Sequence, residues 1–282
     1  MEHRVSNQKT KQKACRIVKI GLALLLAGLL SACGEKKEAA LIVAGSTSVQ
    51  PFAEALAEHY MVLHQEIEVD VQGGGSSAGV MSAKTNTADI GMSSRSLKED
   101  ELSLWHVEIA RDGLAVIVNP KNNVTDLTLQ QVRDIYSGTI SNWSQLGGKD
   151  AKIHIIAREE GSGTRSAFES LVMDKQEISP RAIVQDSNGT VRQLVADDPN
   201  AIGFVSLGLV DVTVIALKLD GVAATRENVL NKTYNLSRPF IFITGKEPVG
   251  ETKKFIDFVL SEEGKKILND EGLVTFDTGG SQ

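Results

Sequence analysis

Short apolar runs alternate along this chain with segments in which apolar residues recur at helical spacing. The first run, residues 41–44, precedes Phe52, Leu56, Tyr60 and Leu63, so the pattern predicts a strand and then a helix. This alternation continues towards the C-terminus and is typical of an α/β protein with mostly parallel strands. Further strands are predicted at residues 67–71, 88–92, 114–120, 153–157, 202–205 and 238–244, and further helices from about residue 78 and at 98–104, 129–136, 166–173, 190–196, 251–260 and 262–268.

Two long apolar runs, residues 114–120 and 238–244, flank a self-contained α/β stretch. We interpret them as crossover strands between two lobes, which would form a hinge with a ligand cleft between the lobes. The predicted division gives a first lobe of residues 41–114 and 243–282 and a second lobe of residues 115–242. A single continuous sheet is the alternative that the pattern leaves open.

The first 32 residues have a different pattern and are predicted to be a secretory signal peptide. Six Lys and Arg residues and one acidic residue, Glu2, precede a run of 11 mostly apolar residues at positions 20–30. A bilayer core needs about 20 residues of helix, so this run is too short to span it.

The motif Leu30-Ser31-Ala32-Cys33 follows the apolar run and resembles the bacterial lipobox. The resemblance implies that Cys33 is lipidated and becomes the first residue of the mature chain. Residues 33–40 would then be a polar tether, and the protein would be anchored to the outer face of the cell membrane. Cys15 lies in the predicted leader, so the mature chain has no disulfide.

Charge is distributed unevenly between the predicted leader and the rest of the chain. The whole chain has 30 Lys and Arg residues and 36 Asp and Glu residues, for a net charge of −6. Beyond residue 32 there are 24 basic and 35 acidic residues, which gives −11. Because nucleic-acid binding needs a basic face to neutralise phosphates, and the aromatic content is only 5%, nucleic acid is excluded as a partner.

Three predicted strands end in loops rich in Ser, Thr and Gly that lead into helices, at residues 45–48, 75–77 and 158–164. The first N–H groups of a helix have no intrahelical partner and carry partial positive charge, so an anion fits there. Three such loops directed at one point would bind a tetrahedral oxyanion with neutral donors. For each loop alone, ordinary helix capping is the favoured explanation.

Arg158 distinguishes the third loop, because it ends an apolar strand and needs a partner near buried surface. Arginine is suited to bidentate contact with an oxyanion. Glu160, two residues later, could pair with Arg158 and hold its guanidinium in place.

Enzymatic and metal-binding interpretations find little support in the sequence. Gly161-Ser162-Gly163 lacks the spacing of a hydrolase elbow, and the Gly-Lys pairs lack the rest of a P-loop. His59 and His64 are five residues apart without a metal-ligand pattern, so surface histidines are expected. We therefore predict a non-enzymatic protein without a metal or cofactor.

The three loops belong to a longer series of motifs that closely resembles the phosphate-binding proteins of bacterial phosphate-specific ABC importers. The resemblance extends in order over essentially the whole mature chain and implies a type II periplasmic-binding fold that closes on inorganic phosphate. It also implies a membrane permease and its ATPase as partners. The motifs are residues 45–48, 72–77, 88–95, 136–143, 158–164, 201–205 and 255–261.

Roles in phosphate binding are carried over from this family position by position. Glu160 matches a family carboxylate that orients the arginine. The implied phosphate ligands are Thr47, Ser48, Ser76, Arg158, Ser162, Gly163 and Thr164.

Ser94 departs from the family pattern, because well-known Gram-negative members have an aspartate at this position. A carboxylate there accepts the proton of hydrogen phosphate and disfavours fully ionised sulfate, whereas serine brings no charge. Either another acceptor, Glu160 or Asp186, takes this role or discrimination is looser. Ser94 is an expected ligand contact, and the further candidates are Ser46, Ser77 and Arg95.

Two other functions stay open from the sequence. The ligand could be another tetrahedral oxyanion, given the serine at position 94. The chain could also be a surface interaction protein or adhesin that retains the fold.

Overall fold

Residues 39–276 are described by this computed structural model of the protein. The predicted signal peptide, the lipidation site Cys33 and residues 33–38 of the predicted tether lie outside this range. Ala39 and Ala40, the last two residues of the predicted tether, belong instead to the first strand. Within it, no helix combines the length and the apolar character that crossing a membrane requires.

Strands and helices alternate as the apolar pattern predicts. The strands are β1 (Ala39–Gly45), β2 (Ile67–Gly73), β3 (Ile90–Ser93), β4 (Trp105–Val118), β5 (Asp126–Leu127), β6 (His154–Arg158), β7 (Ile183–Gln185), β8 (Ala201–Ser206), β9 (Ile215–Ala216), β10 (Lys218–Leu219) and β11 (Ser237–Thr244). The α-helices are α1 (Gln50–Leu63), α2 (Ser76–Thr85), α3 (Leu129–Ser137), α4 (Gly163–Phe168), α5 (Asn188–Asp197), α6 (Arg226–Leu230), α7 (Gly250–Leu260) and α8 (Glu262–Asp270).

Nine strands of the described range form one sheet, in the order β2-β1-β3-β11-β4-β8-β6-β7, with β9 also paired to β4. The outer strands are parallel, since β1 pairs with β2 and β3, and β6 pairs with β7 and β8. The middle is antiparallel, because β11 and β4 run against their neighbours. The predicted parallel arrangement is therefore confirmed for the two outer parts of the sheet and is wrong for its middle.

β4 connects the two parts because it is long enough to pair twice. Its residues 105–113 pair with β11, and its residues 114–118 pair with β8. The predicted strand at 114–120 is only the apolar second half of β4, since the first half contains Glu108, Arg111 and Asp112. One sheet thus continues through β4 even though the fold has two lobes.

The hydrophobic core is divided into separate clusters, although the sheet is continuous. One core cluster contains Phe52 and Phe255, and another contains Phe204. Phe240 and Phe242 pack in the first cluster, although the predicted division assigns them to the second lobe. They pack there because β11 pairs with β3 and with the first half of β4. The exact lobe boundaries stay a prediction.

Two predicted helices differ from the structure. The helix predicted at 98–104 is only a 3-10 turn, Glu99–Glu101, because the Glu101 carboxylate accepts the Lys98 N–H and closes the turn. The helix predicted at 166–173 begins earlier as α4 and continues as the π-helix Glu169–Met173.

Gly45, at the end of β1, allows the first loop to approach β3 and α2 closely. Its φ is 141°, and a Cβ atom there would overlap the Met92 carbonyl oxygen and lie 2.8 Å from Gly79 Cα. The loop at residues 45–48 is therefore held directly against α2. Ligands of open α/β sheets bind outside the carboxyl ends of the strands, and this loop lies at such an end.

Candidate functional site

The first two loops and the segment after β3 place buried serine hydroxyls in one cluster. Ser46 Oγ donates to Ser94 Oγ over 2.8 Å, and Ser94 Oγ lies 3.3 Å from Ser76 Oγ. The Ser94 N–H also donates to Ser76 Oγ over 3.0 Å. These three side chains, at the ends of β1 and β3 and the start of α2, are all buried. We refer to Ser46, Ser76 and Ser94 as the hydroxyl cluster.

The third loop contacts the same cluster from the other part of the sheet. Thr164 Oγ1 lies 2.6 Å from Ser48 Oγ, and the Ser77 N–H donates to the Gly161 carbonyl over 3.1 Å. A Cβ atom on Gly163 would overlap Ser76 Oγ and lie 2.6 Å from Ser94 Oγ, so only glycine fits at this approach. The three loops therefore meet, as the sequence predicts.

Helix capping accounts for only one of the three loops. Neither α1 nor α2 has a side-chain cap, so Ser48 and Ser76 are not capping residues. Ser162 does cap α4, because its hydroxyl accepts the Arg165 N–H over 3.2 Å. Gly163 and Thr164 occupy the first two positions of α4, where the N–H groups have no intrahelical partner.

Arg158 is a buried cation whose hydrogen bonds are incomplete. Its side chain is 1% exposed, and Nε and Nη2 donate to the Glu159 carboxylate over 2.9 Å each. The same two nitrogens also donate to the carbonyls of Gln185 and Asp186. Nη1 has no hydrogen-bond partner within the described residues. A buried donor without a partner is costly, so Nη1 is available to a ligand.

The carboxylate that holds Arg158 is Glu159, and the predicted pairing with Glu160 is wrong. The chain leaves β6 in a turn closed by the Ser162 N–H and the Glu159 carbonyl, and Glu160 is exposed within this turn. Glu159 lies beside α2, because its Oε1 is 3.5 Å from the position of a Cβ atom on Gly75. The Arg158–Glu159 pair is therefore next to Ser76.

The remaining candidates have different surroundings. Thr47 is half-buried and accepts a long hydrogen bond of 3.4 Å from the Asn188 side chain. The Asp186 side chain is exposed and accepts a long hydrogen bond of 3.5 Å from Thr190 Oγ1. Asp186 contacts Arg158 through its backbone carbonyl instead.

The Arg95 guanidinium, another candidate ligand contact, is held by Glu101. Nη1 and Nη2 donate to the two carboxylate oxygens over 2.7 and 2.8 Å, and Nη1 also donates to the Ser96 carbonyl. The hydrogen bonds from Arg95 hold the pKa of Glu101 below its usual range. Arg95 is therefore paired within its own loop, with only Nε left without a partner.

Arg238 is a further buried arginine, whose role at the site the sequence does not predict. Its guanidinium donates to Ser48 Oγ over 3.1 Å and to Asp112 Oδ2 over 2.9 Å. Burial lowers the pKa of Arg238, Asp112 opposes this shift, and the nearby positive charge of Arg158 lowers the pKa further. The positive charge of Arg158 thus disfavours the charged form of Arg238, and a nearby anion would offset this effect.

Asn188 was also missed, and it contacts the first loop from the start of α5. Its Nδ2 donates to Ser48 Oγ over 2.8 Å. The signal that identified Arg158, a charge at the edge of an apolar strand, applies equally to Arg238 and Asp112. No comparable signal distinguishes Asn188, which looks like an ordinary residue at a helix start.

No group of three or more His, Cys, Asp or Glu residues suited to a metal ion occurs in residues 39–276. The site consists of hydroxyls, helix N-terminal N–H groups and a buried guanidinium with a free nitrogen. Such a set of donors can bind an anion with several acceptor oxygens.

The fold and this site define a two-lobed α/β binding protein of the type II periplasmic-binding class. Residues 31–263 match the model of a family described as a PBP superfamily domain. The chain belongs to this superfamily and, within it, to the family of the phosphate-binding protein PstS.

Two kinds of relative support this assignment. The phosphate-binding protein PstS of Bacillus subtilis is 35% identical over 251 residues, which are 86% of this chain and 83% of that protein. The structure of a putative phosphate ABC transporter substrate-binding protein from Clostridium perfringens, with bound phosphate, is 45% identical with a TM-score of 0.82. The match covers 84% of this chain and 100% of the Clostridium perfringens chain. A phosphate transport receptor from Vibrio cholerae is 42% identical with a TM-score of 0.70, and covers 84% of this chain and 100% of its own.

The Arg95–Glu101 pair makes a pH-dependent contribution to stability. The folded-state pKa of Glu101 is below its ordinary value of 4.5, so its ionised form stabilises the fold at neutral pH. This contribution is lost as the pH falls through the folded-state pKa. We expect Glu101→Gln to lower the free energy of unfolding by about 1–3 kcal/mol at pH 7 and by much less at pH 3.

Urea unfolding of both proteins at the two pH values measures this difference. Glu99→Gln is the matched control, because Glu99 is an exposed neighbour in the same turn and we expect a change within about 0.5 kcal/mol. A Glu101→Gln effect that is equal at pH 3 and pH 7 would contradict the assignment.

Proposed function

We propose that this protein is the substrate-binding component of an ABC importer and binds inorganic phosphate between its two lobes. The observation that carries the proposal is Arg158 Nη1, a buried N–H group without a partner among the described residues. Arg158 begins the loop whose Gly163 packs against Ser76 and Ser94 of the hydroxyl cluster. The relatives named as phosphate-binding proteins, and the related structure with bound phosphate, support the same ligand.

Phosphate matches the donors in number and kind. Nη1 of Arg158 supplies a charged donor, the N–H groups of Gly163 and Thr164 supply neutral donors, and the hydroxyls can donate or accept. The predicted ligands Thr47, Ser48, Ser76, Ser94, Ser162, Gly163 and Thr164 all lie on the three loops or on β3 and its exit, and we retain them as proposed ligands or neighbours of the ligand. Arg95 is less suited, because Glu101 holds its guanidinium.

Binding followed by delivery is the proposed role, with no catalytic step. The family relationship supports a membrane permease and its ATPase as the partners that receive the phosphate. A binding component must hold its ligand and release it again, and hydrogen bonds from neutral donors and a guanidinium permit this without any covalent change.

A receptor for a different tetrahedral oxyanion is the second candidate, and a specific observation favours it. The hydroxyl cluster has Ser94 where a carboxylate would reject sulfate, and the alternative acceptors Glu160 and Asp186 both have exposed side chains. Acceptance of the phosphate proton then falls to hydroxyl oxygens, which also tolerate a fully ionised ligand.

Calorimetric titration with phosphate, arsenate, sulfate and molybdate tests both candidates. We expect the wild-type protein to bind phosphate and Arg158→Met to bind it at least about tenfold more weakly, because a charged hydrogen bond is lost. Arg181→Met is the matched control, since Arg181 is an exposed arginine of the same lobe, and we expect it to keep wild-type affinity.

If folded wild-type protein gives no heat with phosphate but binds sulfate or molybdate, then that anion is the ligand and phosphate is not. Wild-type affinity for phosphate in the Arg158→Met variant would remove Arg158 from the site. Circular dichroism of each variant before titration shows whether the fold is intact.

We also propose that the protein is exported and anchored to the cell membrane by a lipid on Cys33. The support is the apolar run at 20–30, the lipobox-like motif that ends at Cys33, and the position of β1, which begins at Ala39. Five residues, 34–38, then separate Cys33 from β1, enough for a short tether.

The anchor is tested in bacteria that express the full chain and are grown with labelled palmitate. The cells are then fractionated, and the label on the protein is measured. We expect the wild-type protein to carry label and to partition into detergent, and Cys33→Ser to lose both properties, because the thiol that accepts the lipid is gone. Cys15→Ser is the matched control and is expected to behave like wild type. Label or detergent partitioning that persists in Cys33→Ser would contradict the proposal.

A further inference from the structure

A closed ring of hydrogen bonds connects the first loop to both long strands in the middle of the sheet. Its members are all buried, with exposed fractions of 0–2%: Ser48, Arg238, Asp112, Ser206 and Asn188. The ring joins the entry to α1, the strands β11 and β4, the end of β8 and the start of α5. We call it the buried ring.

Each link of the buried ring has hydrogen-bond geometry. Arg238 donates to Ser48 Oγ over 3.1 Å and to Asp112 Oδ2 over 2.9 Å. Ser206 Oγ donates to Asp112 Oδ1 over 2.8 Å, and the Ser206 N–H donates to Asn188 Oδ1 over 3.3 Å. Asn188 Nδ2 closes the ring by donating to Ser48 Oγ over 2.8 Å.

The two donors on Ser48 determine what its hydroxyl group can do. A serine hydroxyl has one hydrogen and two acceptor positions. Arg238 has no acceptor atom, and Asn188 presents its Nδ2 to Ser48 because its Oδ1 accepts the Ser206 N–H. Both acceptor positions of Ser48 are therefore occupied, and its hydrogen must be donated elsewhere.

Thr164 Oγ1 is the nearest acceptor for that hydrogen, at 2.6 Å. When Thr164 accepts from Ser48, its own hydroxyl hydrogen is left to point at another acceptor. Thr164 is in the first turn of α4, beside the free N–H groups that end the third loop. Ser48 on the first loop thus directs the Thr164 hydroxyl on the third, and Thr164 is the member of the pair that can donate to a ligand.

We propose that Arg238 and Asn188 are positioning residues of the anion site, which act through Ser48 to fix the Thr164 hydroxyl as a donor to the bound oxyanion. This inference rests on the proposed function. Arg158 contacts the ligand directly, whereas Arg238 and Asn188 act through the Ser48 hydroxyl. Loss of either one would give Ser48 a vacant acceptor position and a second orientation, so the pair would no longer be preset for an anion.

The charge pair in the buried ring is hard to explain by stability alone. Arg238 and Asp112 are each 1% exposed, and a buried ion pair often contributes less to stability than an apolar pair of the same size. Burial also raises the pKa of Asp112, against the opposing effect of Arg238. A role in directing Ser48 gives this costly pair a use at the site.

A double-mutant cycle between Asn188 and Ser48 tests the inference without changing any charge. We expect Asn188→Ala to weaken phosphate binding by about tenfold in the wild-type background and by less than about threefold when Ser48→Ala is already present. The reason is that Asn188 has nothing left to direct once the Ser48 hydroxyl is gone. Equal losses in the two backgrounds would overturn the inference.

Ser187→Ala is the matched control for general loosening of α5. Ser187 caps this helix by accepting the Thr190 N–H over 3.1 Å, and it is not part of the buried ring. We expect its effect on phosphate affinity to be the same with and without Ser48→Ala. Coupling as large as that of Asn188 would show that helix position, and not hydroxyl direction, is being measured, and would overturn the inference.

Arg238→Lys and Arg238→Met extend the test to the charged member of the ring. Lysine also donates without accepting, so we expect Arg238→Lys to bind phosphate more tightly than Arg238→Met by about fivefold or more. Equal affinities for these two folded variants would overturn the role of Arg238. If Arg238→Met does not fold, the Asn188 cycle decides the inference.

The same titrations separate this inference from the proposed function. Folded wild-type protein without affinity for phosphate overturns the proposed function, and the positioning role with it. Phosphate binding by wild type together with additive losses in the Asn188 cycle overturns the positioning role alone.

Discussion

The buried guanidinium of Arg158 is the feature on which the rest of the site depends. Its side chain lies at the end of β6 and is 1% exposed, yet Nη1 has no partner among the described protein groups. Glu159 and two carbonyls fix the other nitrogens, so the free nitrogen has a defined direction. Because a buried cation needs its hydrogen bonds satisfied, a ligand with oxygen acceptors stabilises this arrangement.

Local donors explain how an acidic protein can bind an anion. Beyond residue 32 the chain has 24 basic and 35 acidic residues, so its net charge is negative. At the site, however, the hydroxyl cluster and the Ser48 and Thr164 hydroxyls supply neutral donors. Buried donors act in a medium of low polarity, where nearby groups outweigh the distant surface charge. The buried arginines Arg158 and Arg238 are each paired with a carboxylate, so the site has no large excess of charge.

The sequence predicts those parts of the structure that depend on local patterns. Apolar periodicity identifies α1 and β11, and the strand-end loops with Arg158 identify three segments that do meet. The partner of Arg158 depends on how the turn after β6 closes, which sequence spacing does not show, and so Glu159 takes the place expected for Glu160. The contact between Asn188 and Ser48 joins residues 140 positions apart, and only the sheet order brings them together.

A crystal structure of the protein grown with phosphate tests the central claim most directly. The account predicts one phosphate bound between the loops, with an oxygen within hydrogen-bond distance of Arg158 Nη1 and others on the Thr164 N–H and the hydroxyl cluster. Phosphate bound elsewhere, or bound between the loops while Arg158 Nη1 stays without a partner, would contradict it.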